Sequence, residues 1–157
     1  MSRSLLVISA SPDEQLNERI AQDRSPCKDY VELARRLNAT ILYRDAVREH
    51  AWSRLVVRLF GLPAAQAALA FARRRDYDAV FTDAENIGIP LAVLFRLTRV
   101  RRRHVMIGHL VSTPSKRLLF RLFKLGGQFE AIICHSSLQR RIIERHRGRA
   151  HRLAVAR

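Results

Sequence analysis

Five short apolar runs punctuate the chain: SLLVIS (4–9), ATILY (39–43), AVFT (79–82), HVMIG (104–108) and AIICH (131–135). They are rich in Val, Ile and Phe, and each ends in polar or small residues. Their hydrophobicity is continuous rather than alternating, which predicts strands covered on both faces, as in a parallel sheet. Between them the apolar positions shift to a helical period. DYVELARRLN (29–38) places Tyr30, Leu33, Ala34 and Leu37 on one face, and AAQAALAFARRRDY (64–77) is alanine-rich. IPLAVLFRLTR (89–99) opens on Pro90, a residue suited to a first helical turn. PSKRLLFRLFKLGG (114–127) has Ser115 as a cap and a glycine stop. SSLQRRIIERHRG (136–148) repeats that design with Ser136 or Ser137 and Gly148. The polar stretch 11–28 reads as a loop with one helical turn.

Strands alternating with helices predict right-handed βαβ units. The expected fold is therefore α/β: a Rossmann-like, doubly wound, mainly parallel sheet with helices on both faces. In such sheets ligands bind outside the carboxyl ends of the strands. That rule nominates Ser9 and Ser11 after the first strand and Asp83 and Glu85 after the third. It adds His109 to Thr113 after the fourth strand and Ser136 after the fifth.

The stretch HVMIGHLVSTPSK (104–116) concentrates chemistry at that rim. His109 brings a side chain that donates, accepts or moves a proton near neutral pH. Gly108 permits close approach of a ligand to the backbone. Ser112, Thr113 and Ser115 add hydroxyls ahead of a helix whose unpaired amides suit an anion, with Lys116 as a point charge. FTDAENIGIP (81–90) sets Asp83 and Glu85 at a strand end, before a helix entered through Gly88 and Pro90. One carboxylate can bind ligand hydroxyls while the other orients the loop. The plainer alternative has Asp83 capping a turn and Glu85 favouring the helix N-terminus through its dipole. No nucleophile-elbow pattern supports a serine hydrolase. His104, behind Arg101–Arg103, reads as a strand entry without a role.

Charge changes the picture more than overall composition does. The formal net charge is +15; residues 1–78 hold 13 Lys and Arg against 10 Asp and Glu, whereas 79–157 hold 16 against 4. Such asymmetry implies an anionic neighbour, although arginine supplies 26 of the 29 cations, a bias that coding-DNA composition also produces. Along 116–125, Lys116, Arg117, Arg121 and Lys124 share one arc with Phe120, opposite Leu118, Leu119, Leu122, Phe123 and Leu125. An exposed aromatic among cations suits a membrane interface, and WSRLVVRLFGL (52–62) is similar, with Trp52, Arg54 and Arg58. Each cation near an anionic bilayer contributes ~1 kcal/mol. The alternative for either helix alone is a solvated face over a packed apolar stripe. Nucleic acid ranks third, because Arg73–Arg75, Arg101–Arg103 and the 140–152 cluster lack interleaved aromatics and a recognised motif.

The remaining composition mainly excludes. The 157 residues suit one domain with a respectable core. Cys27 and Cys134 have neither metal-site spacing nor a disulfide-rich setting, so no metal is expected. No apolar run approaches the ~20 residues that span a bilayer. The start, MSRSLLVISASPDEQ, reads as a first strand rather than a signal peptide, and cytoplasmic residence is the expectation.

At YDAVFTDAENIGIPLAVLF, RHVMIGHLVSTPSK and EAIICHSSLQRRII the chain resembles the N-terminal half of a GT-B-fold, family-4-type glycosyltransferase. The likeness covers most of 1–153 and includes SPCKDYVELARRLNATIL. It implies a Rossmann-like domain that receives the acceptor, facing a second domain that holds a nucleotide-sugar. By this resemblance His109 approaches the transferred sugar near the reacting carbon. Ser112, Thr113 and Lys116 would sit on the acceptor side, and Asp83 and Glu85 would line the same cleft. Ser11, Gly108 and Ser136 complete the expected substrate-binding set. Many members dock a basic N-terminal domain on membrane that carries a lipid acceptor. That habit would set Trp52, Arg54, Arg58, Arg117, Phe120, Arg121 and Lys124 against an anionic membrane surface, on the inner face of the cytoplasmic membrane.

Two departures qualify the likeness. The first loop reads SASPDE where the family favours a glycine-rich turn, and the chain stops at AHRLAVAR, with 1–153 as the domain and 154–157 as the start of an interdomain linker. The implied activity is retaining transfer of a sugar from a nucleotide-sugar to a sugar or lipid-linked acceptor, without a cofactor. It needs a missing or separate donor-binding domain, since transition-state stabilisation requires both walls of the cleft. The chain alone is expected to be inactive. The rival reading is a non-catalytic Rossmann-like module that binds a nucleotide or phosphorylated ligand.

Overall fold

The computed structural model describes residues 3–12, 22, 29–109, 113–134, 136–137, 141 and 152–155. Strands β1 (Ser4–Val7), β2 (Ala39–Leu42), β3 (Ala79–Thr82), β4 (Arg103–Gly108) and β5 (Ala131–Cys134) lie in the order β2-β1-β3-β4-β5. A further strand, β6 (Arg152–Val155), adds to the far side of β5. Every neighbouring pair is parallel. Ala154 and Val155, expected in a linker, belong to β6. Helices α1 (Asp29–Leu37), α2 (Ala51–Phe60), α3 (Leu62–Ala72), α4 (Glu85–Leu97) and α5 (Pro114–Leu122) connect the strands, with 3-10 turns at Arg44–Glu49 and Leu125–Gln128. This is the Rossmann-like α/β architecture that the alternating pattern predicts.

Continuous apolar runs become strands here because both faces of the sheet are covered. Leu5, Val7 and Val80 pack with α3 and α4 on one face, and Met106 and Ile132 continue that face under α4, α5 and Phe129. Leu6, Ile8, Ile41 and Phe81 point the other way, beneath Tyr30, Leu33 and Ala34 of α1. From β1 the chain steps outward to β2, then returns past β1 and builds β3, β4 and β5 on the opposite side. The reversal falls between β1 and β3, and the crevice at their carboxyl ends is where open α/β sheets take ligands.

Several local expectations shift. Helix α4 begins at Glu85 rather than at residue 89, so Pro90 lies inside it. The proline forgoes one helical hydrogen bond, but burial of Ile87, Ile89, Leu91, Ala92 and Phe95 outweighs that loss. Thr113, with extended backbone, takes the N-cap position of α5, and Ser115 lies in the first turn. The helix stops at Leu122, where Lys124 turns left-handed (φ 50°), and not at the glycines. Most of the expected 136–148 helix and of the 11–28 loop lies outside the described residues.

His104 is a core residue rather than a marker of strand entry. It is fully buried, with Nε2 3.2 Å from Thr82 Oγ1 and its ring 5.9 Å from Phe95 and 4.8 Å from Phe129. Burial holds the imidazole neutral, with its pKa down to about 3. Phe120 overturns the expected interfacial arc of α5. It is 4% exposed and stacks on Phe129, whereas Leu118 (62%) and Leu122 (67%) face outward. The large ring gains more from the crevice between α5 and the 125–129 turn than a leucine would, and it sets the rotation of the helix.

Gly88 decides how closely α4 lies on the sheet. A Cβ there would meet Met106 Sδ at 2.6 Å and Thr82 Oγ1 at 2.7 Å. Gly88→Ala is expected to destabilise the domain by about 1–2 kcal/mol net, because overpacking outweighs alanine's helix propensity. The urea unfolding midpoint reads this directly. A midpoint that stays or rises would show that α4 yields without cost.

Candidate functional site

The carboxyl rim draws together Ser9, Asp83, Glu85, His109 and Lys116. Ser9 lies just past β1, where the buried strand reaches solvent. Its backbone N–H donates to both carboxylate oxygens of Asp83 (3.1 and 3.0 Å), and its hydroxyl donates to Oδ2 (3.0 Å). The Asp83 backbone N–H donates to the Val7 carbonyl at 3.0 Å, so β1 and β3 remain joined up to the rim. One strand further, His109 donates its backbone N–H to Glu85 Oε2 (3.0 Å), and its Nε2 lies 3.1 Å from the Asp83 carbonyl. A carbonyl only accepts, so in the neutral ring Nε2 carries the proton and Nδ1 is the acceptor nitrogen. Lys116 Nζ donates to Glu85 Oε1 at 2.8 Å, the two side chains being 19% and 7% exposed.

The two carboxyl groups are pushed in opposite directions. Burial raises Asp83 above the usual carboxylate range, against the pull of the Ser9 amide and hydroxyl and of the nearby His109. Burial also pushes on Glu85, but the Lys116 hydrogen bond, backbone amides that include His109 and the Lys116 charge together hold it below its ordinary value. Divergent environments of this kind divide roles. Glu85 is the anion that ties the His109 amide to Lys116, and Asp83 is the group more ready to take up a proton.

Of the residues nominated from sequence, Ser9, Asp83, Glu85, His109 and Lys116 share this cluster. Ser11 does not join it: its hydroxyl accepts from Arg44 Nε at 2.7 Å on the β2 side. Ser9, nominated by the strand-end rule but left out of the expected substrate-binding set, takes the place beside Asp83. Gly108 is the buried last residue of β4, paired with Cys134. Thr113 is half-buried, and its Oγ1 has no hydrogen-bond partner among the described residues. Ser136 is exposed past β5, and Ser112 lies outside the described residues.

The helical layer carries the other nominated surface. Trp52, Arg54 and Arg58 of α2 are exposed, as are Arg117 and Arg121 of α5 and Lys124 beyond it. Leu55, Leu59 and Phe60 extend the apolar part of the α2 surface. No helix among the described residues is long and apolar enough to cross a membrane. No group of three or more His, Cys, Asp or Glu among them is placed to hold a metal ion. Comparison with protein-family models, with curated proteins and with solved structures found no match.

Lys116→Met removes the partner of a nearly buried anion, and a loss of about 2 kcal/mol at pH 7 is expected, reduced from a fully buried pair by the partial exposure of Lys116. The sign of its pH dependence follows from Glu85. A carboxyl held below its ordinary value of 4.5 contributes full stability above that pH and loses it as pH falls through the depressed value. Wild type and variant should therefore differ by a constant amount above pH 4.5 and converge in stability as pH falls below it. A difference that persists undiminished through acid unfolding would remove the ion pair as its cause.

Proposed function

We propose that this domain forms the acceptor-side wall of a sugar-transfer cleft in a retaining glycosyltransferase, working with a donor-binding domain that holds a nucleotide-sugar. The observation that carries this reading is His109, exposed on the rim yet fixed through its ring on the Asp83 carbonyl and through its amide on Glu85. A held imidazole at the switch crevice is suited to orient a sugar and stabilise charge that develops beside it.

The charge balance of the rim supports a polyhydroxylated ligand over a phosphorylated one. Two carboxylates, Asp83 and Glu85, lie with one ammonium, Lys116, and that ammonium is committed to Glu85. Carboxylates accept strongly from hydroxyl donors and repel phosphate. In this reading Asp83 and His109 hold ligand hydroxyls, while Glu85 and Lys116 hold the His109 backbone and the start of α5 without touching the reacting atoms. The helical layer adds a membrane contact. Apolar Trp52, Leu55 and Leu59 beside Arg54 and Arg58, and Leu118 and Leu122 beside Arg117 and Arg121, suit insertion into an anionic bilayer surface. A lipid-linked acceptor would then be presented close to the protein.

In enzyme assembled with its donor-binding domain, His109→Ala is expected to lower transfer by about 10²–10⁴-fold while circular dichroism and melting stay unchanged. Normal turnover would remove His109 from the reaction. Tight nucleotide-sugar binding by the chain on its own would favour the non-catalytic module instead. For the surface, the chain should sediment with phosphatidylglycerol vesicles and not with phosphatidylcholine vesicles, and Leu118→Ser/Leu122→Ser should weaken that binding. Indifference to lipid charge, or no loss in the double variant, would eliminate the membrane contact.

A further inference from the structure

At the end of the sheet opposite the rim, the amino ends of β4 and β5 flank a cavity of about 490 Å³. One wall is Arg101–Arg103 and the other is Gly127–Glu130. The walls are tied together. Glu130 donates its backbone N–H to the His104 carbonyl at 2.8 Å, and its carboxylate takes a forked pair from Arg103, Nε at 2.8 Å and Nη2 at 3.0 Å. Phe129 between them is 1% exposed and packs on His104 and Phe120. Gly127 keeps its side open, since a Cβ there would meet nothing within 4 Å.

The cations exceed what the local fold uses. Helices α4 and α5 both end at this side, and their partial negative ends favour a cation each. Arg99 (φ 56°) and Lys124 (φ 50°) supply those, standing in left-handed positions that glycine usually takes. Glu130 is taken up by Arg103. Arg101 and Arg102 have no ion-pair partner among the described residues, although both line the cavity. Two guanidinium groups without an ion-pair partner thus line a braced cavity and lack only an anion.

We infer that this cavity is a binding site for a small soluble diphosphate, separate from the rim and independent of the sugar-transfer reading. The planar forks of Arg101 and Arg102 take phosphate oxygens in pairs, and Arg103, clamped by Glu130, fixes the wall that presents them. The test is calorimetric titration of the full chain with inorganic pyrophosphate at constant ionic strength. Wild type should bind saturably at one site. Arg101→Gln/Arg102→Gln should weaken affinity roughly tenfold or more, the loss expected from one charge-assisted hydrogen bond. That variant leaves the Arg103–Glu130 brace intact, and an unchanged melting curve confirms its fold. Arg58→Gln/Arg75→Gln, which removes the same charge away from the cavity, and His109→Ala at the rim should both bind as wild type does. Absence of saturable binding would overturn the proposal. So would an equal loss in the two double variants, which would indicate diffuse charge attraction, or a loss in His109→Ala alone, which would move the ligand to the rim.

Discussion

A carboxylate almost out of water holds the carboxyl end of this domain in register. Glu85 opens α4, yet its two oxygens reach the amide that follows β4 and the ammonium of α5. An ionised group buried to this degree costs several kcal/mol if it is left alone, so the start of α4, the His109 amide after β4 and the first turn of α5 are tied to one another. Asp83 does the same across the neighbouring gap through Ser9. His109 is held where these two arrangements meet. Its position follows from the satisfaction of buried Glu85 and from the Asp83 carbonyl, and any chemistry at the rim inherits those restraints.

What the sequence made legible was the part governed by simple burial. Runs such as SLLVIS and AIICH had to be strands once both faces were covered, and the strand-end rule followed from the alternation of elements. Orientation was less legible. On α5 the cations and Phe120 share an arc, so the pattern alone favours turning that arc outward; the fit of one aromatic ring against Phe129 reversed it. The start of α4 was hidden because Pro90 is an excellent first-turn residue and only a tolerable interior one, and tertiary burial chose the second role. Ser9 and Ser11 are equivalent by composition. Which one meets Asp83 depends on where the backbone leaves the sheet, and spacing does not encode that.

The large positive charge also acquires a geography that a sum over the chain hides. Among the described residues the rim is close to balanced, with its lysine absorbed by Glu85. Further cations among those residues stand on the exposed faces of α2 and α5 and at the amino ends of β4 and β5. Opposite ends of one sheet thus present different chemistry: hydroxyl-accepting acids at one, guanidinium groups at the other. The strands between them are short, and the layer of helices is continuous through α3, α4 and α5.

His104 has a consequence for the domain in acid. In the unfolded chain its ring takes up a proton near 6.5, but the folded core admits none until about pH 3. Each step down through that interval favours the open chain, because only the open chain can accept the proton. Asp83 leans the other way, since its raised carboxyl gains a proton more readily when folded. The imidazole lies deeper, wedged between Phe95 and Phe129 where three elements converge. Mild acidification would therefore lower the stability of the whole fold through a group at its centre and leave its surface arginines untouched.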